Sequence, residues 1–338
     1  MKLAQLNTVV NTGSTGRIAG AIDRIASARG HEVVTGYGRG SSESASHLRI
    51  GNSLDVGHHV VRSFLDDGHG LASRRATRRF VDRMTRWQPD AIALHNIHGY
   101  YFHYPTFFEF LRQLSVPVIW TLHDCWPFTG HCSYFDRFDC QKWRSQCRDC
   151  PMTHYYPASL VDRSRRNFER KRHYFSRVND LTIVTPSKWL EDLVNQSFLA
   201  GKTVTTIHNG VDLEQFKPPP EQKQKKVVLG VASTWSGRKG LDDFVQLRTL
   251  LPPAFEIVLI GVSKAQKRKL PPGIRGIERT ESVAELVSWY GRSAVFANPT
   301  YSDNFPTTNI EALACGTPVV TYATGGSPEA VNPETGIV

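Results

Sequence analysis

Residues 227–261, VVLGVASTWSGRKGLDDFVQLRTLLPPAFEIVLIG, decide the fold class. They begin with VVLGVA and end with EIVLIG, two unbroken apolar runs with a polar, helix-forming segment between them. An unbroken run, as opposed to an alternating one, marks a strand buried on both faces, as in a parallel sheet. Parallel strands need a crossover connection, and the helical segment supplies it. Outward from this unit the pattern repeats. The expected strands before it are Leu3–Val10, Glu32–Gly36, Ala91–Leu94, Val116–Leu122 and Leu181–Thr185; those after it include Ala294–Asn298 and Pro318–Tyr322. The chain therefore reads as α/β, doubly wound.

At 338 residues there is room for about two domains. The stretch 208–226, HNGVDLEQFKPPPEQKQKK, has three consecutive prolines and no apolar period, and reads as a linker. It divides residues 1–207 from 227–338. The closing ETGIV reads as the start of a further strand with no helix after it, so a C-terminally truncated chain is expected.

Hydrophobic residues at 40% and charged residues at 21% are globular values and exclude a disordered or fibrous protein. No apolar run reaches the 18 or so residues of a membrane span. The first residues turn polar after position 10, unlike a signal peptide, and a cytoplasmic protein is expected. The net charge of +10 calls for an anionic partner. No nucleic-acid motif accompanies the charge, so nucleic acid is not expected. Much of the charge sits in 74–87 (RRATRRFVDRMTRW) and 162–177 (DRSRRNFERKRHYFSR), which also carry apolar residues at helical spacing. Such helices suit an anionic membrane surface; the other reading is a solvated basic face with its aromatics in the core.

Ligands of open parallel sheets sit beyond the carboxyl ends of the strands. After the first strand, Asn11-Thr12-Gly13-Ser14-Thr15-Gly16-Arg17 leads into a helix. Glycines there either let backbone approach an anion at a helix start or simply turn the chain. His123-Asp124 follow the Val116–Leu122 strand, where a histidine is placed either to touch a ligand or to serve structure. Arg238-Lys239 stand at an expected helix start, where cations oppose the macrodipole unless a polyphosphate reverses the penalty. In YSDNFPTTNIEALACGTPVV (301–320), Asp303 precedes a helix opened by Pro306, and Glu311 lies inside it. Carboxylates accept well from sugar and ribose hydroxyls, although two unrelated acids would look the same.

These segments together resemble retaining glycosyltransferases of family 4. Asp303-x7-Glu311 in DNFPTTNIEALACGTPVV, then TGGSPEAV, is similar to the family's E-x7-E signature. HNGVD, the Arg-Lys-Gly helix start and NTGSTGR resemble family segments in the family's order. TLHDCWPFTGHC with the cysteine cluster is similar to the exopolysaccharide, colanic-acid-type branch. The resemblance implies GT-B architecture, two Rossmann-like domains facing across a cleft, with the acceptor on the first and the nucleotide sugar on the second. It implies that Lys239, helped by Arg238, pairs with the donor diphosphate. Glu311 would hold the ribose. Asp303, with the backbone of Asn304, Phe305 and Pro306, would hold the transferred sugar. Gly13 and Gly16 would lie near diphosphate and acceptor, and His123 near the sugar's reacting face. The implied reaction moves a hexose-type sugar from a UDP- or GDP-linked donor to a glycan or lipid-linked acceptor. It retains the anomeric configuration and needs no metal for catalysis. The basic helices add the expectation of a cytoplasmic enzyme lying peripherally on the inner face of the membrane. Departures are Asp303 for the first glutamate, Thr234 where many relatives carry arginine, and the missing final helix. Two other functions use such a scaffold: a nucleotide-sugar epimerase, and a catalytically degenerate module that binds glycan or membrane.

Five of the six cysteines lie in residues 125–150, within an expected insert at 125–156. Cys132-x7-Cys140-x6-Cys147-x2-Cys150 offers four ligands for a structural zinc ion. Free buried thiols and two disulfides are the alternatives.

Overall fold

The computed structural model describes residues 1–220 and 224–338. It divides into two compact units, Met1–Ile207 and His208–Val338. Residues 221–223 of the expected linker lie outside the described residues.

The first unit holds strands β1 (Lys2–Val9), β2 (Glu32–Arg39), β3 (His47–Arg49), β4 (Ala91–Leu94), β5 (Val118–Thr121), β6 (Leu181–Thr185) and β7 (Thr203–Thr206). Its helices are α1 (Gly13–Ala28), α2 (Ser53–Asp66), α3 (Arg74–Trp87), α4 (Tyr104–Arg112), α5 (Ser164–Phe175) and α6 (Lys188–Asn195). The sheet is parallel throughout, in the order β3-β2-β1-β4-β5-β6-β7. The order reverses between β1 and β4, the switch point at which such sheets take ligands.

Its core is aromatic. Trp120 on β5 is buried against Phe108 of α4 and Phe175 of α5, with ring centroids 5.4 and 4.9 Å away. The two basic segments form α3 and α5, and their apolar residues are in this core. Phe80 fills the space where a Cβ at Gly36 would stand, and Met84, Phe168 and Phe175 are buried. The apolar stripes of both helices pack into the core, and their arginine-rich faces meet solvent.

The second unit repeats the plan with β8 (Gln224–Val231), β9 (Glu256–Ile260), β10 (Ile274–Ile277), β11 (Ser293–Asn298), β12 (Val319–Thr321) and β13 (Gly336–Ile337). Helices α7 (Leu241–Leu250), α8 (Lys264–Lys267), α9 (Val283–Arg292) and α10 (Thr307–Ala314) flank it. The order is β10-β9-β8-β11-β12-β13, again parallel, with the reversal between β8 and β11. Part of the expected linker is not a free connection. Phe216 is buried beside Tyr290, and Pro219 occupies the space over Gly291.

Candidate active site

In the second unit both loops at the switch point converge. β8 runs into Ser233–Gly240, and Gly237–Lys239 forms one tight turn. Gly240 then takes a left-handed conformation (φ +71°) and nearly touches the Pro299 carbonyl, so a Cβ would not fit. Arg238 and Lys239 therefore precede the helix start in a separate turn, a correction to their expected place. The first turn of α7 carries Asp242 and Asp243 instead.

β11 leads into residues 299–306, and Pro306 caps α10. The Tyr301 N–H donates to the Arg238 carbonyl at 2.8 Å, tying the two loops together. Lys239 Nζ donates to Asp303 Oδ2, and Arg238 donates to the Ser302 carbonyl. The Asp303 backbone is fixed from behind. Gly326 N–H donates to its carbonyl at 3.1 Å, and a Cβ at Gly325 (φ +56°) would overlap that oxygen. The other Asp303 oxygen accepts from the Asn304 N–H at 2.9 Å.

Asp303 and Glu311 thus differ in environment. Asp303 sits in the loop, paired to Lys239. Glu311 is 2% exposed inside α10 and accepts from the Tyr290 hydroxyl at 3.0 Å. Phe305 stacks on His208 with centroids 4.7 Å apart, and Asn209 Nδ2 donates to the Phe305 carbonyl at 3.2 Å. Sequence reasoning missed three supports. The His208-Asn209 pair was legible only as part of HNG. Asn309, buried, accepts from Asn298 at 2.8 Å and donates to Ser327 O at 3.1 Å. Its one signal was its place between Asp303 and Glu311.

In the first unit, Gly13 opens α1 with φ +64° and open space where a Cβ would stand. Gly16 is packed tightly on Val9, and its carbonyl accepts from the Asn11 N–H at 3.1 Å. His123, just past β5, lies 3.0 Å from His95 Nδ1, and His95 Nε2 lies 3.2 Å from Gln5 Oε1. Burial lowers both imidazoles, His123 to about 4 and His95 to about 3, so both are neutral near pH 7. Beside them His98 Nε2 lies 3.0 Å from Asp124 Oδ2. Burial alone would raise Asp124; His98, the Trp126 N–H and His123 outweigh it and hold the carboxyl below its ordinary range. His95, His98 and Asp124 were missed as site residues because nothing local ties 95–98 to 123–124; adjacent strands do.

The cysteine insert rests on a residue the sequence showed only as one charge among many. Lys171 of α5 is buried, donating to Trp126 O at 2.7 Å and Thr129 O at 3.1 Å, with the Trp126 ring 3.5 Å away. Burial, above all, lowers its ammonium to about 7. Cys132, Cys140, Cys147 and Cys150 line one pocket and are unbridged. Among the described residues no group of three or more His, Cys, Asp or Glu is set to hold a metal ion, so the thiols as placed do not form a ligand cluster. Among the same residues no helix is long and apolar enough to cross a membrane.

Two loops at a sheet's switch point presenting cations and a helix start suit a nucleoside diphosphate. The model of Glycosyl transferases group 1 matches residues 225–338, and that of Glycosyltransferase Family 4 matches 22–215. The chain is 25% identical over 343 residues to a putative colanic acid biosynthesis glycosyl transferase, WcaC of Escherichia coli K12, covering 95% of this chain and 82% of that one. Among solved structures it superposes on sucrose-phosphate synthase of Thermosynechococcus elongatus with a TM-score of 0.70 at 16% identity, covering 99% of this chain and 85% of that one. Anabaena HepE in complex with UDP-glucose gives 0.63 at 16% identity, covering 100% and 85%. The likeness to these structures establishes the GT-B fold, and with more than half of its length matched by the family model, the chain belongs to glycosyltransferase family 4.

Proposed function

We propose that this enzyme transfers a hexose from a nucleoside-diphosphate sugar to a glycan or lipid-linked acceptor in surface-polysaccharide assembly, with retention of anomeric configuration. The observation that carries the proposal is the Lys239–Asp303 pair at the β8/β11 switch point. Without donor, each charge covers the other. The donor diphosphate takes over Lys239 and Arg238, and this frees the Asp303 carboxylate for a hydroxyl of the sugar. The α10 start adds its backbone N–H groups to the same anion. Stabilising the departing diphosphate in this way is the main electrostatic contribution to rate. Retention follows if the leaving phosphate itself accepts the acceptor's proton on the face it departs from, so no protein base is required. In the first unit, Gly13, Gly16 and the neutral His123 are proposed to serve diphosphate, acceptor and sugar. Glu311 is proposed to accept from the ribose while Tyr290 orients it. The similarity to WcaC supports the pathway class, and HepE, crystallised with UDP and UDP-glucose, supports a nucleotide-sugar donor.

Thermal unfolding with UDP, GDP and ADP tests this. Ligand at about 100 times Kd adds about 2.7 kcal/mol, a rise of roughly 5–10 °C. A shift with one nucleotide supports the proposal and identifies the base. No shift with any of them favours the degenerate module. Product analysis with donor alone separates an epimerase, which would release free nucleotide and altered sugar without an acceptor. The shared pocket of Cys132, Cys140, Cys147 and Cys150 supports a second proposal, a structural zinc ion that draws these thiolates together. Metal analysis of protein purified without added zinc tests it, and well under one equivalent removes it.

A further inference from the structure

One basic pocket of the first unit takes no part in the site above. It is an open pocket of about 350 Å³ whose lining includes Arg62, Arg74, Arg163, Arg166 and Arg170. Asp66 is the one carboxylate on its wall, and it is already shared by Arg62 and Arg163. Among the described residues no carboxylate pairs with Arg74, Arg166 or Arg170. Three helices begin here. Arg74 is the first residue of α3, Pro105 stands in the first turn of α4, and Arg163 precedes α5 with Arg166 in its first turn. Neither α3 nor α5 has an acidic residue in its first turn. Arginines at helix starts oppose the macrodipole, and five guanidinium groups around one cavity repel one another. An oxyanion removes both penalties, and the guanidinium fork suits phosphate. Also on the wall, His103 is lowered to about 4, by burial first and then by Arg74, Arg170 and Arg78. It adds no positive charge near pH 7 and leaves room for an anion held by arginine alone. The site lies where α4 and α5 start, after β4 and β5, at the carboxyl edge of the sheet.

We propose that this pocket binds a phosphate or diphosphate ester carried by the acceptor, an inference that rests on the transferase reading. The probe is inorganic pyrophosphate added to the whole chain, with hydrogen exchange followed segment by segment. Exchange is expected to slow about fivefold or more at residues 74–77, 104–107 and 164–167. The double variant R166Q/R170Q loses that slowing; both arginines reach solvent, and R74Q, likewise exposed, is the second variant if the first folds poorly. Both are expected to keep wild-type exchange without ligand. No slowing at these turns, or slowing that survives both variants, overturns the site. Slowing confined to 236–240 and 303–307 also overturns it, while leaving the donor reading intact. Slowing here with none there supports the pocket and removes the donor reading. Vesicles of phosphatidylglycerol in phosphatidylcholine identify the source. If they compete with pyrophosphate the pocket takes a lipid-borne phosphate; if they do not, it takes a soluble one, and the site stands in both cases.

Discussion

Twelve of the thirteen histidines lie in the first unit and one, His208, in the second, although the two sheets share one strand order up to the seventh strand of the first. At the carboxyl edge of the first sheet, His95 and His98 are buried and His123 half-buried, among aromatic rings and one another. At the same edge of the second stand an ammonium, a carboxylate and backbone N–H groups held by glycine turns. At the strand ends of the first edge stand two imidazoles that burial keeps neutral near pH 7, His95 and His123; at those of the second stands an ion pair, Lys239 with Asp303. The topology thus fixes where a site lies and leaves its chemistry free.

Acidification should break the comparison most strongly. His59, His69, His95 and His123 are buried and lowered, His59 and His95 to about 3 and His123 to about 4. The unfolded chain takes up their protons below about pH 6.5 and the folded unit does not, so stability present above 6.5 is lost as pH falls toward 4. At pH 5.5 His59, His95 and His123 each cost about 1.4 kcal/mol, roughly 4 kcal/mol together, a large part of a domain's whole stability, and His69 acts in the same direction. His131, raised because its bond to Asp67 outweighs burial, opposes this by one group. Hydrogen exchange at pH 5.5 should show the first unit opening well before the second. Equal opening in both would show that the histidines are not buried neutral.

Lys239→Ala should act on the second unit alone. It removes the cation at the departing diphosphate, and kcat/KM should fall about 10²–10³-fold, the usual loss for one group stabilising a developing anion. Some loss of stability is expected in the second unit as well, because the pair is part-buried and Asp303 is left without its cation. Nucleotide binding retained at wild-type strength would exclude Lys239 from the donor site.

The ionic edge was legible in the sequence and the histidine edge largely was not, for a physical reason. Arg238-Lys239 and Asp303–Glu311 each belong to one continuous segment whose glycines and prolines signal its shape. His95, His98, His123 and Asp124 meet only because β4 pairs with β5, and Lys171 shows its role only once α5 buries it against Trp126. The basic segments were legible only in part. Their 3.6 period showed that one face is apolar, and periodicity cannot say whether core or membrane covers that face. Short strands β3, β7 and β10 carry too few apolar residues to be seen by pattern.

His123→Gln sharpens the comparison further. Glutamine keeps a hydrogen bond toward His95 and removes the imidazole, so kcat should fall about tenfold while nucleotide binding at the second unit stays as it was. A loss of binding with kcat intact would instead make His123 a packing residue.

The smallest effect is expected from Asp303→Glu, which restores the family's pattern. The backbone of residue 303 cannot yield, since Gly326 N–H holds its carbonyl and the Gly325 turn closes over it. The added methylene must therefore be taken up by the side chain, which has Lys239 as its partner. Lysine's long stem can follow a carboxylate by about 1 Å through rotamer changes alone. The pair survives, the carboxylate still meets the sugar, and kcat/KM should stay within about threefold of wild type, under 1 kcal/mol. Asp303→Asn keeps the length and loses the charge, leaving Lys239 unpaired before donor binds; it should tighten nucleoside diphosphate yet weaken transfer. If Asp303→Glu proves as damaging as Asp303→Asn, the position is selected for reach, and the ionic edge is as closely packed as the histidine edge it contrasts with.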